Sequence, residues 1–348
     1  MLLVFPIWQF ANANQTNIQF DRYSIEHGLS QEAIFSITQD RQGYMWFATQ
    51  EGVNRFDGYR FENFYHDPDN ENSLSNDVVY SIIEDHQGML WLGTYEGLDR
   101  FDPQTATFTH FNKSSHQLDS DRVYVVFEDS DNMIWVGTEG GGLSRFDRQS
   151  QNFQTFRYDP KDRKSLNDDN VRSIHQDKDG RLWIGTDKGL NLFEPASGSF
   201  LNFNDNNLIP EGIKKSSIRS LFTDAKRRLW VGTFETGLFR LDADQTVVHF
   251  QHDGKNKHSL CHDQVSDIFQ DNSGLIWVAT NNGLCQWQSE LNRFVNLHND
   301  PKDPYSLSDN RTLSLFQDEG GVLWLGTFGG LNKWTVSGFE HYREVSND

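Results

Sequence analysis

The stretch that decides the fold is Ser81-Ile82-Ile83-Glu84-Asp85-His86-Gln87-Gly88-Met89-Leu90-Trp91-Leu92-Gly93-Thr94-Tyr95-Glu96-Gly97-Leu98. Two β-prone runs flank an Asp-x-x-Gly turn. The Asp carboxylate can accept from nearby backbone N–H groups, and the last turn position takes positive φ at low cost when it is Gly. Working outward, Val79-Tyr80 begins the first run, while Gly97-Leu98-Asp99-Arg100-Phe101-Asp102 and Phe108-Thr109-His110-Phe111 supply a third and a fourth. Four short strands separated by turn residues make one antiparallel unit.

The unit recurs. Trp46, Trp91, Trp135, Trp183, Trp230, Trp277 and Trp324 are 45, 44, 48, 47, 47 and 47 residues apart. The hairpin signature repeats at Asp40 to Gly43, Asp85 to Gly88, Asp177 to Gly180, Asp271 to Gly274 and Asp318 to Gly321. Asn132 replaces the Gly in copy three and tolerates the same left-handed backbone. Arg227 in copy five does not, so strain or a different turn is expected there. A sheet unit that cannot bury both faces alone, repeated seven times, predicts an all-β chain. The expected architecture is a seven-bladed β-propeller of four-stranded antiparallel blades spanning residues 14–342, with Trp and Phe rings packed between blades.

The repeat resembles the two-component regulator propeller family, whose unit runs S-I-x-x-D-x-x-G-x-L-W-x-G-T-x-x-G-L. Ser81 to Leu98 and Ser173 to Leu190 match it nearly letter for letter. The resemblance implies a periplasmic or extracellular ligand sensor. In that family such propellers often stand in tandem ahead of an immunoglobulin-like domain, a membrane helix and a histidine kinase or diguanylate cyclase. The expected partners are therefore a small-molecule or oligosaccharide ligand, a second propeller and a membrane-anchored kinase or cyclase output module.

Composition narrows the function further. Fifty acidic against 31 basic side chains give a net charge of -19, which opposes nucleic acid and anionic membranes as partners. No segment after residue 14 approaches the ~20 apolar residues of a spanning helix. Residues 1–13 read as a signal peptide, with an apolar run to Trp8 and a small-x-small site at Ala11-Asn12-Ala13. An ordinary apolar strand is the alternative.

Phe-x-x-aromatic motifs mark the outer strands, and an extra copy, Phe20 to Tyr23, precedes the first blade. It is expected to complete the blade built on Trp324, because a blade made from both termini removes free sheet edges. Phe339 to Tyr342 then has no place in the ring, and the tail at 343–348 fits the start of a following module.

Catalytic, metal and cofactor motifs are absent: there is no phosphate loop, His-Glu-x-x-His or Gly-x-Ser-x-Gly. The hairpin Asp residues are expected to cap their own turns. His175 shares its column with Thr38, Ile83, Phe127, Phe222, Phe269 and Phe316, and reads as filling a packing slot.

Columns needed for packing should be uniform across copies, whereas binding columns are free to vary. Five residues before each turn Asp stand Phe35, Tyr80, Tyr124, Arg172, Arg219, Ser266 and Leu313. Just after the Gly-Thr or Ala-Thr stand Gln50, Tyr95, Glu139, Asp187, Phe234, Asn281 and Phe328. The start of the first strand lies beside the end of the second, so both sets reach the rim opposite the hairpins. The candidate ligand residues are Phe35, Tyr80, Tyr124, Arg172, Arg219, Tyr95, Glu139, Asp187, Phe234 and Phe328. Rings and guanidinium forks suit a sugar, particularly one bearing carboxylate or sulfate. The alternative is that the Arg residues pair with Glu139 or Asp187 as rim ion pairs.

Cys261 and Cys285 both approach this rim in copy six. Export would permit a disulfide, but an intervening strand argues for two separate buried thiols. The leading functional expectation is a ligand-binding sensor without catalysis. A streptogramin-lyase-like enzyme and a protein-interaction scaffold are the alternatives.

Overall fold

The computed structural model describes residues 18–114, 118–203 and 209–336. The expected signal peptide, Phe339 to Tyr342 and the C-terminal tail lie outside the described residues. All seven sheets are four-stranded and antiparallel, each in simple meander order except the last. In blade two the strands are Val79–Glu84, Leu90–Thr94, Gly97–Asp102 and Thr107–Phe111. Each inner strand packs on the inner strands of both flanking blades, and that of blade seven packs on that of blade one, closing the ring.

Closure is as the extra aromatic motif implied. Ile18–Tyr23 pairs antiparallel with Gly330–Val336, with Phe20 opposite Trp334. The last blade therefore takes its outer strand from the N-terminal end of the ring and its other three from the C-terminal end.

The hydrophobic core is divided into layers between blades. Trp91 stacks on Phe111 of its own blade at 5.7 Å and meets Phe146 of the next edge-on at 5.2 Å. Val123, Val126, Ile134 and Val136 of blade three complete that layer. The Gly of Gly-Thr permits this approach: a Cβ on Gly93 would lie 2.8 Å from Val123 Cγ1.

Each hairpin Asp serves its own turn. Asp85 Oδ1 accepts from Gln87 N at 2.8 Å and Met89 N at 3.0 Å, while Oδ2 accepts from Trp91 Nε1 at 2.7 Å. Arg227 takes φ 61°, beside 62° for Asn132, and its N–H donates to Asp224 O at 2.9 Å as Gly88 N does to Asp85 O. The turn in blade five is thus the same turn. The Arg is held in the left-handed region, a cost of about 1 kcal/mol.

The expectation of two separate thiols is corrected: Cys261 and Cys285 form a disulfide with Cα atoms 6.0 Å apart. Cys261 lies in the loop before the inner strand, which crosses over the end of the second strand to reach the third. Elsewhere the same slot holds a polar staple. Ser30 N donates to Asn54 Oδ1 at 2.7 Å, Asn167 N to Asn191 Oδ1 at 3.1 Å, and Ser308 N to Asn332 Oδ1 at 2.8 Å. Every one of these pairs is 24 residues apart, as are the cysteines.

Cys261→Ser alone should therefore lower unfolding stability by about 2–4 kcal/mol, the usual worth of a loop-closing disulfide. Cys261→Ser with Cys285→Asn should recover about 1–2 kcal/mol of that by restoring the staple of the sister blades. Urea titrations of the two variants check this. A double variant no more stable than the single one would contradict the equivalence of the slots.

Candidate functional site

One irregularity recurs in every blade. The inner strand carries a β-bulge at the same position, where Val79 pairs with Thr94 but Ser81 pairs with Gly93, leaving Tyr80 extra. The equivalent extra residues are Phe35, Tyr124, Arg172, Arg219, Ser266 and Leu313. A bulge re-aims a side chain without breaking the sheet beyond it. All seven bulged residues line one cavity of about 340 Å³ on the ring axis, together with Phe234, Gln264, Val265, Asn281 and Phe328.

The cavity wall has two halves. Phe328, Phe35, Tyr80 and Tyr124 form an aromatic arc with successive ring centroids 6.4, 5.8 and 5.0 Å apart. Arg172 continues it, its guanidinium 4.0 Å above the Tyr124 ring, and Arg219 lies 4.8 Å from the Phe234 ring. Gln264, Ser266 and Asn281 supply hydrogen-bonding groups on the remaining side. Burial and the neighbouring Tyr124 raise the Tyr80 phenol above its ordinary pKa, so it remains a neutral donor.

The rim carboxylates are already engaged. Arg172 donates from Nε to Asp187 Oδ1 at 2.9 Å and from Nη2 to Oδ2 at 2.7 Å, and Ser217 Oγ donates to Oδ1 at 2.6 Å. Burial works against the Asp187 charge, but these bonds hold its carboxyl below the usual range. Glu139 pairs with Arg122, whose guanidinium also stacks 4.2 Å from the Tyr95 ring.

Of the ten residues singled out from sequence, Phe35, Tyr80, Tyr124, Arg172, Arg219, Phe234 and Phe328 therefore converge on the axial cavity. Tyr95 and Glu139 line a separate shallow depression with Arg122, and Asp187 orients Arg172. Sequence reasoning missed Gln264 and Arg122, which sit two positions before the bulge in their blades, in a column it did not compare. It also passed over Ser266 and Asn281 within the columns that it did. His175 lies beside Phe222 at 6.0 Å and within hydrogen-bonding distance of Thr223 Oγ1, and burial pushes its pKa down to about 4. The described residues lining the cavity include no histidine.

Six copies of the two component regulator propeller repeat match, at residues 28–51, 73–96, 117–140, 165–188, 259–282 and 306–329. The chain belongs to that family. Blade five, with its left-handed Arg227 and the one-turn helix Glu211–Lys214, is the blade outside the matched segments. Among solved structures, the chain is similar to the extracellular domain named for the hybrid two component system BT3049 of B. thetaiotaomicron. The identity is 27% and the TM-score 0.77, over 92% of this chain and 42% of that one. A "Histidine kinase P4" of Formosa agariphila is 35% identical over 57 residues, 16% of this chain and 4% of the kinase. The chain thus spans less than half the length of these relatives. A streptogramin B lyase superposes with a TM-score of 0.69 at 12% identity, over 92% of this chain and 98% of the lyase, a likeness of fold alone. No helix among the described residues is long and apolar enough to cross a membrane.

Immediately after the bulges runs a belt of inter-blade hydrogen bonds. Ser81 Oγ accepts from Val126 N at 3.1 Å, Ser173 Oγ donates to Ile218 O at 2.9 Å, and Ser314 Oγ donates to Ile34 O at 3.1 Å. In blade six the position is Asp267, which accepts from Ser220 Oγ at 3.2 Å and Leu315 N at 2.9 Å, joining three blades. Burial pushes its carboxyl up to about 6. The folded chain therefore binds this proton more tightly than the unfolded chain. The resulting stability is complete below about pH 4 and is lost as pH rises through about 6. Asp267→Asn removes that dependence. Its melting temperature relative to the native chain should be higher at about pH 7.5 than at about pH 4.5, by the equivalent of about 2 kcal/mol. Thermal denaturation at the two pH values measures the difference, and a pH-independent offset would contradict it.

Proposed function

We propose that this chain is a ligand-sensing propeller of a signalling receptor, working outside the cytoplasm, and that an oligosaccharide or similar polar molecule occupies its axial cavity. The observation that carries this reading is the bulge repeated in all seven blades. A device that the fold uses identically seven times presents seven side chains at one point, and those side chains are of five types. Uniform geometry with variable chemistry is what a recognition surface needs, while packing would favour one residue type. The aromatic arc offers flat faces to a sugar ring, and the guanidinium and amide half offers donors to its oxygens.

The disulfide supports an exported location, since such bonds persist in oxidising compartments. The extracellular domain of a hybrid two component system and the histidine kinase among the relatives support a membrane-anchored kinase as the output, while a cyclase output and a second propeller follow from the family resemblance alone. A rigid ring transmits binding by changing how it sits against its neighbours. The lyase alternative needs a histidine with an acidic partner facing the channel. The described lining of rings, guanidiniums and amides favours binding over that chemistry.

A thermal-shift screen of the chain against neutral and acidic oligosaccharides tests the reading. A ligand at about a hundred times its dissociation constant should stabilise the fold by about 2.7 kcal/mol. Tyr124→Ala should weaken that ligand about tenfold or more, whereas Tyr59→Ala, at a residue 96% exposed, should leave it unchanged. Absence of any stabilising sugar would contradict the sensor reading.

A further inference from the structure

We infer that the ligand of the axial cavity is a compact ring carrying a single acidic group, carboxylate or sulfate, and that Arg219 is the residue that receives it. This rests on the axial-cavity reading above and adds the charge of the ligand. Two guanidiniums, Arg172 and Arg219, line the cavity, with one carboxylate, Asp187, bonded to Arg172, while Arg122 with Glu139 and Arg311 with Asp309 are paired outside the lining. Arg122 is matched by Glu139, and Arg172 by both oxygens of Asp187. Arg219 is left over. Its Nε is buried with no hydrogen-bond partner, and no ion pair or hydrogen bond to it occurs among the described residues.

That arrangement costs the empty protein stability, because a partly buried cation without a hydrogen-bonded partner has lost hydration that its surroundings return only in part. Phe234 beneath it offsets part of the loss through its ring face. Among the described acidic side chains, Asp187 attracts this guanidinium without bonding to it, its oxygens being held by Arg172 and Ser217. An acidic group entering the cavity would balance Arg172 and Arg219 at two against two. A second would face Asp187 and Glu139 without a cation to meet it, which limits the ligand to one.

Position fixes the rest of the ligand. Arg219 lies between Arg172 and the polar Gln264, Ser266 and Asn281 side, across the cavity from Phe35 and Tyr80. A ring whose acid sits on Arg219 thus presents one face to the aromatic arc and its hydroxyls to the amides. A cavity of about 340 Å³ accommodates one such ring with its substituent, the remainder of a longer chain leaving through the open mouth. Neighbouring Arg172 is held by Asp187 in a fixed orientation and acts as a positioning residue beside the anchor.

The test uses the methyl glycosides of glucuronate, galacturonate and mannuronate, their neutral counterparts, and sodium sulfate, by calorimetry on the native chain, Arg219→Gln and Arg219→Lys. At least one uronide should bind the native chain about tenfold or more tighter than its neutral counterpart, the worth of a charge-assisted hydrogen bond. Arg219→Gln should erase that preference and Arg219→Lys should retain part of it. Without ligand, Arg219→Gln should melt above the native chain, the reverse of what loss of a purely structural residue would do. Equal binding of acidic and neutral sugars, abolished by Tyr124→Ala, would overturn this inference and leave the sensor reading standing. Sulfate binding as tightly as every uronide would overturn the ring-bearing class. Failure of all these sugars, with an oligosaccharide still stabilising the chain in the thermal-shift screen, would overturn this inference alone, and failure in both would remove both readings.

Discussion

The propeller depends on the bond between the hairpin aspartate and the tryptophan indole. It occurs in all seven blades at 2.6–2.9 Å, from Trp46 Nε1 to Asp40 Oδ2 through to Trp324 Nε1 to Asp318 Oδ2. A buried indole N–H without a partner costs about 1–3 kcal/mol. At the seven positions that follow the hairpins the turn supplies that acceptor, whereas Trp287, also buried between blades, leaves its Nε1 without one among the described residues. The carboxylate in turn tolerates burial because two backbone N–H groups and the indole point at it. Burial alone would raise the carboxyls of Asp85, Asp177 and Asp224, yet these bonds keep them below the usual range. Turn, strand register and inter-blade packing are one coupled unit, repeated.

That coupling divides the molecule into a constrained end and a free one. Toward the hairpins, nearly every polar atom of the repeat has an assigned partner, and the residue types hardly vary. Toward the opposite rim, the Gly-Thr step lets the next inner strand approach, and the bulge turns one residue of each inner strand to the axis. Substitution there changes the chemistry of the cavity without disturbing the wedge rings, so a single scaffold can present different ligand surfaces. The belt of serines, with Asp267 among them, ties the blades together directly beside the bulges.

Most of the ring was legible in the sequence because its constraints act through residue type at fixed spacing. The Trp period, the Asp-x-x-Gly turn and the displaced Phe20 to Tyr23 motif each have one physical explanation. The cavity was legible as a variable column, since Phe35, Tyr80, Tyr124, Arg172 and Arg219 differ where their neighbours agree. The bulge itself was not, because an extra residue in one strand leaves no mark on composition. Tyr95 and Glu139 look equivalent to Phe234 and Phe328 in the column, but Arg122 draws both into its own cluster at the rim. The Cys261 to Cys285 bond was readable in retrospect. Its 24-residue separation is that of Ser30 to Asn54 and Ser308 to Asn332, pairs whose meaning depends on a loop crossing that strand counting does not reveal.

In the proposed function the bulged residues are where ligand is recognised. The most direct test is a crystal structure of the chain grown or soaked with the tightest-binding uronide. Ordered density on the ring axis, with the sugar face against Tyr80 and Tyr124 and the carboxylate on Arg219, is the result expected. Density instead in the lateral groove beside His252, His258 and His298, with the axial cavity unchanged, would contradict it.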